Sequence, residues 1–150
     1  LFNFYRNKDK NIWCGISNKK GLKKVFYRKK INMLNTLNKN VAKIHFKKGF
    51  STKIVKVNTL NYFLKKFYNS KKKIDLLKID VEGEELNVLK SINLNIYQPK
   101  LISVEIHNQN SMYEDNLDYF KKNKIYKFLI SKKYKIVWKN QYSFIFKKKF

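Results

Sequence analysis

Carboxylate and imidazole side chains follow two apolar runs in the middle of this sequence. Asp80 and Glu82 come directly after the first run, and Glu105 and His107 end the second. If the runs are neighbouring parallel strands, their carboxyl ends meet at one edge of the sheet, where ligands and catalytic groups collect. These four side chains are therefore expected on one rim. There they could deprotonate a hydroxyl or amine, orient a polar substrate or bind a cation.

The elements around this rim predict an α/β sheet with a parallel centre and an antiparallel edge. Apolar runs predict strands at 74–79 and 101–107, and the apolar positions of 86–92 predict a helix between them. The other elements predicted in this part are a helix at 60–67 capped by Thr59, a helix over 116–132 broken near Asn123, and a closing hairpin of strands 134–138 and 142–146.

The first third of the chain has weaker periodicity. Residues 11–17 form a short apolar run bounded by Asn and Ser, which predicts a strand. The remaining predictions here are a turn at 18–21, short strands at 25–27, 41–46 and 52–57, and a loop over the asparagine-rich residues 31–40.

The acids of the central region have structural as well as functional interpretations. Glu84 and Glu85 are typical of a helix start, where the helix dipole favours negative charge, and Glu82 could serve the same purpose. Asp75 should lie at the opposite end of its strand, which favours a structural role. Asp80 instead follows an apolar strand where a core residue would be more favourable, and Glu105 stands in a similar position. Both positions favour function.

The net charge of +25 raises the possibility of a nucleic-acid partner. Only Arg6 and Arg28 of the 35 basic residues are arginine, although arginine is the better ligand for phosphate and bases. The lysines accompany an excess of Asn, Ile, Phe and Tyr, the pattern that an AT-rich coding sequence imposes. Residues 75–118 hold nine of the ten acids and carry a net charge of −6, so the remainder carries +31. These observations disfavour nucleic acid as the partner, and a basic nucleic-acid-binding domain remains the alternative.

Two stretches carry a resemblance to a known family. The first is 75–90, Asp-Leu-Leu-Lys-Ile-Asp-Val-Glu-Gly-Glu-Glu-Leu-Asn-Val-Leu-Lys, and the second is 99–107, Pro-Lys-Leu-Ile-Ser-Val-Glu-Ile-His. Together they resemble the FkbM-type family of S-adenosylmethionine-dependent methyltransferases. The flanking segments 15–21, 57–63, 128–134 and 143–146 are similar to that family in character.

The resemblance implies a mostly parallel, Rossmann-like methyltransferase sheet with S-adenosyl-L-methionine as cofactor. It also implies methyl transfer, usually to a hydroxyl on a sugar or small metabolite, so a small molecule or glycan is the expected acceptor. By this resemblance Asp80 would contact the cofactor and orient or deprotonate the acceptor, and His107 is the other candidate base. Glu82 and Glu105 would position the substrate, and the spacing does not require a metal ion.

The sequence departs from the family at its start. No Gly-x-Gly occurs, so residues 1–150 are expected to form one N-terminally truncated methyltransferase domain without the upstream glycine-rich cofactor-binding turn. In the family's strand order the lost strands would separate the 11–17 strand from the 74–79 strand, so the former is expected to lack a sheet partner. An inactive remnant is a further alternative. No signal peptide or membrane-spanning run is evident, which predicts a cytoplasmic protein.

Overall fold

The computed structural model describes residues 2–30, 34–68, 73–106 and 117–149. Within these ranges the helices are α1 (Phe2–Tyr5), α2 (Lys39–His45), α3 (Leu60–Phe67), α4 (Glu85–Lys90), α5 (Leu117–Lys122) and α6 (Lys124–Ser131). The strands are β1 (Gly15–Ile16), β2 (Gly21–Tyr27), β3 (Ser51–Asn58), β4 (Leu76–Ile79), β5 (Leu101–Glu105), β6 (Tyr134–Lys139) and β7 (Ser143–Lys148).

The larger sheet has four strands in the order β4-β5-β7-β6. Strands β4 and β5 are parallel, with Ile79 opposite Val104, whereas β7 is antiparallel to both β5 and β6. The predicted parallel pair and closing hairpin are therefore confirmed. In the larger sheet β4, β5 and β6 run in one direction and β7 runs against them. The expectation of a single sheet is wrong, because a second, smaller sheet also forms.

The main core lies between the larger sheet and its helices. Leu89 of α4 and Leu129 of α6 are fully buried, and they pack in one cluster with Ile102 and Phe144 from the sheet. Because β5 alternates half-buried and buried residues, its apolar side chains contribute to this core along its whole length. Burial of these side chains fixes the position of β5, and therefore the level at which its last residue, Glu105, reaches the rim.

The smaller sheet has the order β1-β3-β2 and uses the chain before residue 59. Strand β1 pairs in parallel with β3, with Gly15 opposite Val57, and Ser17 N–H donates to the Asn58 carbonyl at 3.0 Å. The expectation that the strand at 11–17 would lack a sheet partner is therefore wrong. It contributes only two residues to the ladder, and Trp13 just before them is 98% exposed.

Segment 41–46, predicted as a strand, belongs to a helix instead. Asn38 caps α2, its side-chain oxygen accepting hydrogen bonds from the N–H groups of Asn40 and Val41. The buried residues Ala42 and Phe46 are four positions apart and share the helical face that packs on Phe26 of β2. The β-branched Val41 favours a strand locally, but the cap and this packing determine the structure.

The other predicted helices are found close to their predicted bounds. Thr59 caps α3, its hydroxyl accepting from Tyr62 N–H at 3.1 Å, and Asn123 separates α5 from α6 by capping the latter. Helix α4 is shorter than expected and ends at Lys90. Among the described residues, no helix has the length and apolar character needed to cross a membrane.

Stability at alkaline pH should depend on Tyr134, which is fully buried and donates from its hydroxyl to the Pro99 carbonyl at 2.8 Å. Burial raises the pKa of Tyr134 from its usual value near 10 to about 12. Because the unfolded chain loses the proton first, the stabilisation is complete below about pH 10 and is lost as the pH rises towards 12, by roughly 2 kcal/mol. Urea unfolding across this range measures the loss. Tyr134→Phe should abolish this part of the pH dependence, and an unchanged dependence would contradict the assignment.

Candidate functional site

Three of the four predicted rim residues lie together. Asp80 directly follows β4 and Glu105 ends β5, and the two strands run parallel in register. One carboxylate oxygen from each of Asp80, Glu82 and Glu105 lies within 4.8 Å of the other two. We call these three side chains the acid rim. His107 lies outside the described residues, so its expected place beside them stays a prediction.

The turn from β4 into α4 holds Glu82 in an unusual backbone conformation. Glu82 has φ of 49° and Gly83 has φ of 93°, so two successive residues lie in the left-handed region. A non-glycine residue there costs about 1–2 kcal/mol and persists only where its surroundings enforce it. The Thr36 hydroxyl donates to the Glu82 carbonyl at 2.5 Å, and Glu85 accepts from Gly83 N–H at 2.9 Å. These hydrogen bonds hold the Glu82 backbone at the rim.

Residues of α2 and its N-cap, much earlier in the chain, also contact this turn. The Asn38 side-chain amide donates to the Gly83 carbonyl at 3.2 Å. His45 Nε2 lies 3.8 Å from Glu82 Oε2, and its Nδ1 lies 3.5 Å from the Leu34 carbonyl. No sequence pattern indicated the contacts to Glu82 and Gly83, because their partners lie more than thirty residues earlier, in a segment with weak periodicity.

Glu84 stands at the start of α4 and also contacts residues of the smaller sheet. It is 7% exposed, occupies the N-cap position of α4 and makes no side-chain capping bond. Its Oε2 instead accepts from Lys23 Nζ at 2.9 Å and Asn87 Nδ2 at 3.0 Å, and Ser17 Oγ lies 3.4 Å away. Glu85, by contrast, lies in the first turn of α4 as predicted for a helix-start acid. The ion pair between half-buried Lys23 and buried Glu84 connects the smaller sheet to the start of α4.

The acid rim is partly neutralised by Lys78 on β4. Lys78 Nζ donates to Asp80 Oδ2 at 2.9 Å. The hydrogen bond to Asp80 and its negative charge, with a smaller contribution from Glu105, raise the pKa of Lys78. Lys78 therefore stays a cation beside Asp80. At the other end of β4, Asp75 pairs with Lys100 at 2.6 Å, which agrees with its predicted place away from the rim.

The composition of the acid rim limits its chemistry. Its side chains offer only carboxylate oxygens, which accept hydrogen bonds from hydroxyl or ammonium groups and are the ligands preferred by Mg²⁺ and Ca²⁺. Asp80 is exposed, whereas Glu82 and Glu105 are half-buried. A polar ligand can thus approach Asp80 from solvent, with two further acceptors beside it.

Comparison with known families agrees with this geometry. The family model described as the methyltransferase FkbM domain matches residues 2–136, which include the smaller sheet, strands β4 and β5 of the larger sheet, and the acid rim. The chain therefore belongs to the FkbM methyltransferase domain family. No curated protein and no solved structure matches the chain. Membership of this family identifies the protein as a methyltransferase and implies a methyl donor. The acid rim is the candidate active site.

Proposed function

We propose that the protein transfers a methyl group from S-adenosyl-L-methionine to a hydroxyl of a sugar or another small metabolite, within a Rossmann-like methyltransferase fold. The observation that carries this proposal is the acid rim, three carboxylates within 4.8 Å beside two parallel strands of an FkbM methyltransferase domain. Several converging acceptors suit a ligand with several hydroxyl donors. Residues 1–150 would then form a single partial domain of the family.

The rim fits the polar groups of the cofactor. In the described part of the larger sheet, β4 is an edge strand, so Asp80 at its carboxyl end adjoins an open side of the sheet. Its 41% exposed carboxylate could accept hydrogen bonds from the hydroxyl or ammonium groups of S-adenosylmethionine. Gly83 offers no space for the cofactor, because a Cβ there would already lie 2.5 Å from Val41 Cγ2. We therefore assign the cofactor contact to Asp80. When bound, the cofactor supplies an electrophilic methyl group.

The residues of the rim would divide the remaining work. Asp80 would accept a hydrogen bond from the acceptor hydroxyl, direct an oxygen lone pair towards the cofactor's methyl group, and take the proton as that group passes from the cofactor sulfur to the oxygen. Glu82 and Glu105 accept hydrogen bonds from neighbouring hydroxyls and fix the acceptor. Lys78 would hold the Asp80 carboxylate in place through its hydrogen bond. Alignment of the reacting groups would supply most of the rate enhancement, and His107 remains a second candidate base.

The proposal is tested by supplying the protein with methyl-labelled S-adenosylmethionine and a panel of monosaccharides, oligosaccharides and simple amines. We expect saturable cofactor binding in calorimetry and label on hydroxyl oxygens of carbohydrate acceptors. Label only on amines would contradict the acceptor class. Absence of cofactor binding by the folded protein would favour an inactive remnant.

A further inference from the structure

A polar cleft lies away from the acid rim. It has a volume of about 500 Å³ and is formed by the start of α3, the segment 90–95 that begins with the last residue of α4, the end of α6, and Asn18. This volume is in the range of sites for small ligands. None of the acid-rim residues lines it. It is therefore a separate candidate site on the same protein.

The cleft has a positive charge. Lys90 and Lys132 line it, and none of the carboxylates in the described part of the chain does. Within the described ranges, neither lysine forms an ion pair with an acid. Close to this cleft, burial and then the positive charges of Lys133 and Lys132 lower the pKa of Lys148. An anionic group in this cleft would meet cations without an internal competitor.

Carboxamides and an aromatic ring provide the other contacts. Asn61 lines the cleft, and its Oδ1 is buried without a hydrogen-bond partner. Such an unsatisfied acceptor is unfavourable, and a ligand hydroxyl could satisfy it after a small side-chain rotation. Asn93 Oδ1 accepts hydrogen bonds from the N–H groups of Asn95 and Ile96, so its Nδ2 group can serve as a donor to a ligand. Phe128 adds an apolar surface.

Several possible hydrogen-bonding groups at the cleft wall are already used by the protein. Ser91 Oγ accepts from Leu60 N–H at 3.0 Å and donates to the Val88 carbonyl at 2.7 Å. Thr59 Oγ1 caps α3 through Tyr62 N–H. A ligand in this cleft would therefore meet the lysines and carboxamides rather than the amino end of a helix. Asparagine amides suit hydroxyl groups, because each offers both a donor and an acceptor.

We infer that this cleft binds an anionic sugar, a phosphorylated or carboxylated monosaccharide unit. Lys90 and Lys132 would pair with its anionic group, Asn61 and Asn93 would bond its hydroxyls, and Phe128 would pack against the apolar face of its ring. The inference does not depend on methyl transfer, because it uses none of the residues assigned to that reaction.

Calorimetry or ligand-observed NMR with glucose 6-phosphate tests the inference, with glucose and inorganic phosphate as separate probes. We expect saturable binding of glucose 6-phosphate with a dissociation constant on the order of 1 mM or below, and at least about tenfold weaker binding of each part alone. Lys90→Glu and Lys132→Glu should each weaken binding by about tenfold or more, because each replaces an attraction with a repulsion.

Lys127→Glu is the matched control. Lys127 is exposed on α6 and does not line the cleft. Its replacement by Glu changes the net charge by the same amount as the two cleft substitutions. It should leave the affinity within about twofold, since an exposed charge that does not line the cleft is screened by water and salt. Circular dichroism confirms folding of each variant. Equal losses in all three variants, inorganic phosphate binding as tightly as the sugar phosphate, or no saturable binding would each overturn the inference.

Discussion

Gly83→Ala should lower the free energy of unfolding by about 3 kcal/mol or more, the largest effect expected from a single methyl group in this chain. Two costs add at this position. Gly83 has φ of 93°, which an alanine rarely adopts, and the new Cβ would lie 2.5 Å from Val41 Cγ2 on α2. The turn or α2 would have to move. Because the turn carries Glu82, any surviving folded protein should also lose activity. Urea or thermal unfolding measures the change.

Gly49→Ala separates the two costs. Gly49 has a nearly equal φ of 96°, but no atom lies within 4 Å of a Cβ built there. It should therefore lose only the conformational part, about 1 kcal/mol. In the double variant Gly83→Ala, Val41→Ala, the smaller side chain relieves the close contact, so the added alanine should cost less than in the wild-type background. A loss at Gly83 no larger than that at Gly49 would show that the packing of α2 on the turn is unimportant.

The acid rim was predictable from sequence because its position depends on local signals. Apolar runs identify β4 and β5, a helical pattern between them indicates a parallel crossover, and the acids follow from their positions at the strand ends. The structure places Asp80 and Glu105 beside each other for that reason. Their catalytic and substrate-binding roles, like that of His107, remain predictions.

The support of the rim was not predictable, because it comes from long-range packing. Nothing near residues 36–45 indicates that Thr36 donates to the Glu82 carbonyl or that His45 lies beside the Glu82 carboxylate. The same weak periodicity led to a strand prediction where α2 forms. Strand β1 was likewise expected to be unpaired, yet open backbone groups along β3 provide a partner.

These long-range contacts suggest why a strained glutamate can persist at the rim. A residue with positive φ is stable only when neighbouring structure holds it, and here a hydroxyl, an amide and a packed helix all contact the two residues of the turn. The smaller sheet is connected to the same turn through the ion pair between half-buried Lys23 and buried Glu84. Assembly of the first third of the chain therefore stabilises the geometry of the candidate active site.

Asp80→Asn should reduce kcat for methyl transfer by about 10²-fold or more while the protein remains folded. Asparagine keeps the size of the side chain, but its amide cannot accept the proton of the acceptor hydroxyl. It also removes the partner of Lys78, an exposed ion pair whose contribution to stability is within about 1 kcal/mol. Initial rates with labelled S-adenosylmethionine and a carbohydrate acceptor measure the loss at saturating concentrations of both.

Asp75→Asn is the control for this substitution, because it makes the same chemical change just before the other end of β4. Asp75 is 79% exposed and paired with Lys100, so the variant should keep kcat within about twofold of the wild type. The Lys78→Met variant tests whether the ion pair itself contributes to turnover, because it keeps the Asp80 carboxylate but removes the cation beside it. A smaller loss for Lys78→Met than for Asp80→Asn would indicate that proton acceptance, rather than the ion pair, is the contribution of Asp80. Full turnover by Asp80→Asn would exclude that role and leave His107 as the base to test.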